Sequence, residues 1–467
     1  MKKLKTPLII AGILLGTALL ELLGGFSSKQ ITATLVFLTI LCGTLFYWKF
    51  RLGFAFAGLA ILLGASLIDL EHMIEFAGLD IILFLVGMMA VIGILEENHF
   101  FEFLVARIVD AIGARPYVLM LVLMTLSTFF AALVDEVTSI LFMMSTMFHI
   151  TRHYKVNPVP FLLMIVFATN IGSSATAVGN PIGVMIALRA GLTFADFLRW
   201  AAPISAAALV VTIAACFVMF RKDILALGDS MKKIRSESES RHVTHNNRDI
   251  LISFLLFGAT ITSLIMHHHL EEMLHLGKNT LLIGTALFFG AISIFIKAED
   301  ARDFFMRRVD WWTLSFFLVL FASVGTLKYV GVTERIAEGM IHIAGGGHVL
   351  LLNIFTAAIC LLTAFMDNVL AVATFIPILT DIEKSGIYVF PFWWAMLFGG
   401  TIYGNATIIG STANIVAMGM LEKETGSGVK FMEWARPGVV VSTLAIFLAM
   451  ALLYAQFHLM PGAPAHF

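Results

Sequence analysis

Three acidic side chains stand where acids are costly. The stretch STFFAALVDEVTSILFMMS carries Asp135 and Glu136 side by side, and ICLLTAFMDNVLAVATFIPIL carries Asp367 followed by Asn368. A carboxylate at membrane depth costs at least about 2.5–3.5 kcal/mol, so its presence there marks function by default. Its chemistry is narrow. It can hold a small hard cation, or it can take a proton, because removal from water disfavours the charged form. Two further stretches add neutral oxygens to that chemistry. One is ATNIGSSATAVGNPIG (168–183), with Asn170, Ser173, Ser174, Thr176 and Asn180; the other is YGNATIIGSTAN (403–414), with Asn405, Thr407, Ser411 and Asn414. Thr138 lies one turn beyond the first acid pair. Such side chains and free carbonyls suit hard cations.

The surrounding elements must be membrane helices. The chain has 467 residues, of which 59% are hydrophobic and only 13% charged, against about 25% charged in a soluble domain. Its mean hydropathy is +0.94. Many apolar runs approach the roughly 20 residues that cross a bilayer. The net charge of −1 says nothing about partners, because basic residues act loop by loop. Cys42, Cys216 and Cys360 lie singly in apolar runs and read as buried thiols rather than a disulfide or zinc framework. The N-terminus, with Lys2, Lys3 and Lys5 before an apolar run, reads as a retained first helix that starts in the cytoplasm.

Charge orients the rest. Lys49 and Arg51 mark an inner turn between spans at 31–48 and 51–68, and Asp69, Glu71, His72 and Glu75 form an acidic outer loop. A span at 80–97 leads to Arg107 and Arg115, again inside. The run 117–150 then has basic flanks at both ends, so it crosses an even number of times or not at all. Each arm of about 16 residues reaches only roughly 24 Å, which predicts a re-entrant hairpin with Asp135 and Glu136 at its tip. Backbone turns at that depth require protein or water around them. The following span, 160–190, contains three glycines, Asn180 and Pro181 within 168–183. A regular helix does not survive these, and a broken helix offers half-helix ends and carbonyls to an ion. A plain packing kink is the alternative. A span at 200–220 leads to a basic, Ser-rich linker at 221–249, read as a flexible cytoplasmic loop without a nucleic-acid role. His267, His268, His269, Glu271, Glu272 and His275 read as an exposed outer loop between spans at 250–268 and 278–296 rather than a metal site, because consecutive histidines cannot share one ion on a helix.

A second copy of the pattern follows. Asp310 matches Asp80, Asp367 follows Asp135 by 367 − 135 = 232 positions, and Thr407 and Gly410 match Thr176 and Gly179 at 231. The expected organisation is N-terminal helices (1–50), a first repeat (51–220; hairpin 117–150, broken helix 160–190), the linker (221–249), a connecting helix and outer loop (250–276), a second repeat (277–458; hairpin 347–380, broken helix 391–419) and a tail (459–467). By the charges, the spans at 80–97 and 312–330 run in opposite senses. The fold class is therefore an all-α polytopic membrane protein of about 11 transmembrane helices plus two re-entrant hairpins in two inverted repeats. It is expected in the inner (cytoplasmic) membrane, with the N-terminus inside and the C-terminus outside.

The strings ALVDEVTS, FATNIGSSATAVGNP, AFMDNVLAVATFIPI and GNATIIGSTANIV, in this order and spacing, resemble the ion transporter superfamily. Its members include NhaD-type sodium/proton antiporters, arsenite permeases and divalent-anion/sodium symporters, which share a citrate-transporter-like domain. The resemblance runs from about residue 50 onward. It implies a scaffold and a mobile transport domain, built as a homodimer. The anion symporters carry Ser-Asn-Thr at the hairpin tips, whereas Asp367-Asn368 is closer to the NhaD-like pattern. Two positions depart from that pattern: Glu136 replaces an Asn, and Gly183 stands where the first broken helix ends in Asn.

Two uses of the site stand. In sodium (or lithium)/proton antiport, both ions compete for Asp135, Glu136 and Asp367, with Na⁺ held at Asp135, Asp367 and Asn368. In a carboxylate (citrate-like) or arsenite permease, helix N-termini receive the anion and the acids serve a coupling cation or proton. A third class, an intramembrane enzyme or a scaffold, lacks any nucleophile–base set, HExxH motif or nucleotide loop. No catalytic residue and no resident cofactor are expected, only transported or coupling Na⁺ and H⁺. The partners are the bilayer and small ions or a small-molecule substrate.

Overall fold

The computed structural model describes residues 2–101, 103–104, 115–234 and 247–463, and every regular element among them is a helix. Arg107, linker residues 235–246 and tail residues 464–467 lie outside the described residues. After α1 (Lys2–Leu23), a first unit runs α2 (Ser28–Phe46), α3 (Arg51–Gly64), the short α4 (Leu70–Phe76), α5 (Leu79–Glu97), α6 (Pro116–Leu133), α7 (Glu136–His153), α8 (Val159–Gly172), α9 (Pro181–Ala190) and α10 (Phe194–Met219). The polar α11 (Arg221–Ile234) follows. A second unit then follows the same order with one further described helix, α16: α12 (Asn247–Leu274), α13 (Thr280–Lys297), α14 (Ala301–Arg308), α15 (Trp311–Tyr329), α16 (Val332–Ala344), α17 (His348–Phe365), α18 (Asn368–Lys384), α19 (Phe390–Ile402), α20 (Thr412–Thr425) and α21 (Phe431–Gln456).

Ten helices are long and apolar enough to cross a membrane. Setting aside α6 and α17, which are first arms of hairpins, and counting α3 and the two broken helices leaves about eleven crossings. The hairpins are closed by contacts between their arms. Ser139 Oγ donates to Ser127 O (3.1 Å) across the first, where Phe130 and Phe142 also meet edge to face at 5.1 Å. Phe355 and Phe375 do the same across the second at 5.3 Å.

The two units pack reciprocally. α5 lies on α13 while α15 lies on α3; α9 lies on α18 while α20 lies on α7; and α10 pairs with its own equivalent α21. Exchange of equivalent contacts is the signature of a pseudo-two-fold relation. Four crossings lie between α5 and α15 (the broken helix α8–α9, α10, α12 and α13), an even number, so α15 runs in the opposite sense to α5 and the units are inverted. The α5–α13 crossing is closest at Gly87, where a Cβ would stand 2.4 Å from Ala286 O. Small residues let membrane helices approach this way.

Three expectations need correction. The acidic segment after Ser66 is a helix, α4, capped by Asp69 accepting from His72 N (2.9 Å). The histidine-rich segment continues α12 to Leu274, with His267 and Glu271 buried. Glu271 accepts from Asn279 N and Leu281 N (3.1 and 2.7 Å), which closes the turn into α13. The described part of the linker, 221–234, is helical: its apolar residues Ile224, Leu227 and Met231 recur at helical spacing and are buried.

Candidate ion-binding site

Each acid tip is a helix N-terminus. Asp135 caps α7, its Oδ1 accepting from Val137 N (2.7 Å) and Thr138 N (3.1 Å). Asp367 caps α18, its Oδ1 accepting from Val369 N (3.1 Å). A carboxylate at this position satisfies amides that the helix leaves free and sits in the favourable field of the helix end. The second oxygen of Asp367 accepts from Thr412 Oγ1 at 2.5 Å. The position equivalent to Thr412 in the first unit is Pro181, which has no donor.

The tips are tied to their own broken helices by matching bonds. Thr176 Oγ1 donates to Ala132 O, and Thr407 Oγ1 donates to Ala364 O. Both threonines therefore hold hairpin to break, and their hydroxyl hydrogens are already committed. The breaks themselves are closed differently. In the first, Asn180 caps α9: its Oδ1 accepts from Gly183 N (2.8 Å) and its Nδ2 donates to Ser173 Oγ (2.9 Å). In the second, Ser411 caps α20, and Asn414, one turn later, donates to Gly404 O and Thr407 O at 2.8 Å each. An Asn at 183 has no room, since a Cβ there would stand 2.7 Å from Ala177 O and 2.8 Å from Thr176 O. The amide in the first break thus sits one turn earlier for a steric reason.

The two halves meet at Glu136. It is buried, and its Oε1 accepts from Asn368 Nδ2 (3.1 Å) and Ser411 Oγ (3.2 Å). Asp135 and Asp367 both act on it electrostatically. Ser411 also reaches Asn170 Oδ1 (3.1 Å), and Asn170 Nδ2 donates to Asn405 Oδ1 (2.7 Å) and Asn414 Oδ1 (2.8 Å). Asn405 Nδ2 donates in turn to Phe167 O (3.1 Å). One network therefore joins Glu136, Asn170, Asn368, Asn405, Ser411 and Asn414 across both units, all of them buried.

Not every expected oxygen faces this network. Ser174 bonds Ile171 O and Ser205 of α10, both at 2.7 Å, and so fastens the first break outward. Ser173 does reach it: it donates to Asn170 O (3.0 Å), receives Asn180, and is a side-chain hydrogen-bond partner of Glu136. Among the described residues, no three His, Cys, Asp or Glu side chains converge on one metal-sized point.

A basic residue also belongs here, although none adjoins either tip in the chain. Arg51, expected in a solvated turn, is the first residue of α3 and is 6% exposed. It acts electrostatically on Asp367 and Asp310. Its sequence neighbour Trp48, whose ring lies 4.1 Å from the guanidinium carbon, was the one signal of this in the sequence.

The chain matches a family model described as "Citrate transporter" over residues 43–399 and again over 324–464. It is similar to an uncharacterized transporter of Mycobacterium tuberculosis, 30% identical over 412 residues, spanning 85% of this chain and 92% of the relative. It is 29% identical over 413 residues to a 46 kDa membrane protein of Mycobacterium leprae, with 87% and 94% covered. Human P protein is 25% identical over 460 residues, covering 82% of this chain and 54% of that protein.

Proposed function

The chain belongs to the citrate-transporter family, and from that premise we propose that this multi-pass transporter exchanges sodium or lithium for protons by alternating access. The observation that carries this reading is the Glu136 network: a buried acid, receiving hydrogen bonds only from neutral donors, placed where both hairpins and the second broken helix meet. Asp135 and Asp367 flank it electrostatically. Three carboxylates among hydroxyl and amide oxygens attract small cations and oppose a free polyanion. A carboxylate that binds either Na⁺ or H⁺, and not both, couples the two flows: each ion leaves only when the other arrives. The half-helix N-termini of α7 and α18 hold the tips, and the breaks at 173–180 and 403–411 let the tips and their oxygens move together.

The test is transport in proteoliposomes carrying an internal pH dye. Sodium or lithium pulses should drive proton movement. Pulses that move no protons, with citrate, succinate or arsenite taken up instead, would replace this reading by the carboxylate or arsenite permease. That second reading draws support from the description of the family model and from the capped N-termini of α9 and α20, which can receive anions.

A further inference from the structure

We propose that Arg51 is a fixed positive charge that competes with the transported cation for Asp367, and so promotes release of that cation; the inference rests on the antiport reading above. The guanidinium is buried and poorly satisfied. Its Nη2 donates to Thr313 Oγ1 (2.8 Å), while its Nε is buried with no hydrogen-bond partner. The rings of Trp48 and Phe316 lie 4.1 and 5.3 Å from its carbon. No carboxylate forms a direct ion pair with it among the described residues. Burial of a charge in this condition is costly unless something opposite compensates.

The compensation comes through space from Asp310 and Asp367. The two acids differ in what they can offer. Asp310 caps α15, accepting from Thr313 N (3.0 Å) and Thr313 Oγ1 (2.6 Å), and is exposed to solvent. Asp367 is 4% exposed and holds only neutral donors, Thr412 and Val369. A cation arriving at Asp367 therefore enters the field of Arg51, and each weakens the other's hold on the same carboxylate. Such coupling is reciprocal.

The charge sits on a different element from the tip. α3 packs mainly against α2 and α15. A guanidinium keeps its proton at any working pH, so Arg51 does not compete for the exchanged proton. What it does is lower the affinity of Asp367 for a second positive charge in this arrangement of tip and α3. Its role is positioning of charge rather than direct ligation.

The test measures sodium KM and kcat for exchange in proteoliposomes at one pH. Arg51→Gln should lower the sodium KM about three- to tenfold and lower kcat, because the ion leaves more slowly. Arg51→Lys, which retains the charge, should stay within about twofold of the unsubstituted protein. Thr313→Val removes the one hydroxyl that holds the guanidinium to α15, freeing it for Asp367, and should raise the KM. A sodium KM unchanged in Arg51→Gln, or Arg51→Lys behaving as Arg51→Gln does, would overturn the proposal. Should Arg51→Gln fail to fold, an unchanged KM in Thr313→Val overturns it alone. Absence of exchange in the unsubstituted protein is a separate outcome and overturns the antiport reading itself.

Discussion

Asn414→Asp tests whether the second break is held by an amide or by an ion. The substitution keeps the shape of the side chain and exchanges its two N–H donors for a carboxylate oxygen. Asn414 Nδ2 donates to Gly404 O and Thr407 O at 2.8 Å each, and its Oδ1 accepts from Asn170 Nδ2 at 2.8 Å. All three side-chain bonds lie in a buried setting. In the variant the bond from Asn170 survives, while both carbonyls face an acceptor. Each buried group so orphaned costs about 1–3 kcal/mol, giving about 2–6 kcal/mol in total. A protonated Asp recovers one of the two donors, which sets the lower half of that range as the expected loss near neutral pH. The assay is thermal unfolding of the purified protein in detergent, with and without sodium, alongside exchange in proteoliposomes. The melting temperature should fall by several degrees and sodium should not restore it. If the carbonyls instead point at a bound cation, the added carboxylate strengthens that site. The variant then melts at or above the original temperature in sodium, and the hydrogen-bond account of the break is refuted.

Asp367→Asn should abolish exchange with the helical spectrum and melting temperature nearly kept, since an amide oxygen still caps α18; full exchange would remove Asp367 from the mechanism. Gly183→Ala forces a Cβ to within 2.8 Å of two backbone carbonyls and should cost about 1–3 kcal/mol. Gly339→Ala, in the interior of α16 with nothing within 4 Å of the added carbon, is the control in the same melt: it should lose nothing and gain up to about 1 kcal/mol from helix propensity. Outside the membrane spans, the His72 imidazole is raised by its 2.8 Å bond to Asp69, and Asp69 is lowered by the backbone amide and ring of His72. The stabilisation from His72 is complete below about pH 6.5 and fades as pH rises through its raised value, while that from Asp69 is complete above about pH 4 and fades as pH falls. His72→Gln should therefore shift the melting temperature only slightly near pH 5, by no more than about 2 °C, and not at pH 9; an equal shift at both pH values would remove the ion pair as its cause.

Much of the architecture was legible because the membrane penalises exceptions. An acid within an apolar run, or Gly, Asn and Pro within a span, carries a cost there, so Asp135, Asp367 and both breaks stood out. The repeat spacing placed 136 and 368 at equivalent positions before any contact was known. What stayed hidden follows from the third dimension. Ser174 reads like Ser173, yet the rotation of about 100° from one helical residue to the next sends it to Ser205. Arg51 read as a solvated charge because charge sequence alone carries no burial; only the packing of α3 on α15 folds its head beneath Trp48 and Phe316. Thr412, adjacent to Ser411, gained its role through Asp367, 45 residues away.

The asymmetry of the two tips follows from the symmetry of the fold. Residues at equivalent positions near a two-fold axis meet each other, and Glu136 and Asn368, 232 apart, do meet at 3.1 Å. Two glutamates there would place like charges in contact in a buried site, and one would be forced neutral. Two asparagines would pair as neutral amides and leave the axis with no titratable group. One of each places a single acid at the centre and supplies it with a donor from the other unit. The extra acid of the first tip is therefore not a surplus on one side. Its hydrogen bonds from Asn368 and Ser411 tie it to the second unit, so under the antiport proposed above any account of ion stoichiometry begins from three unlike carboxylates rather than from two equal ones.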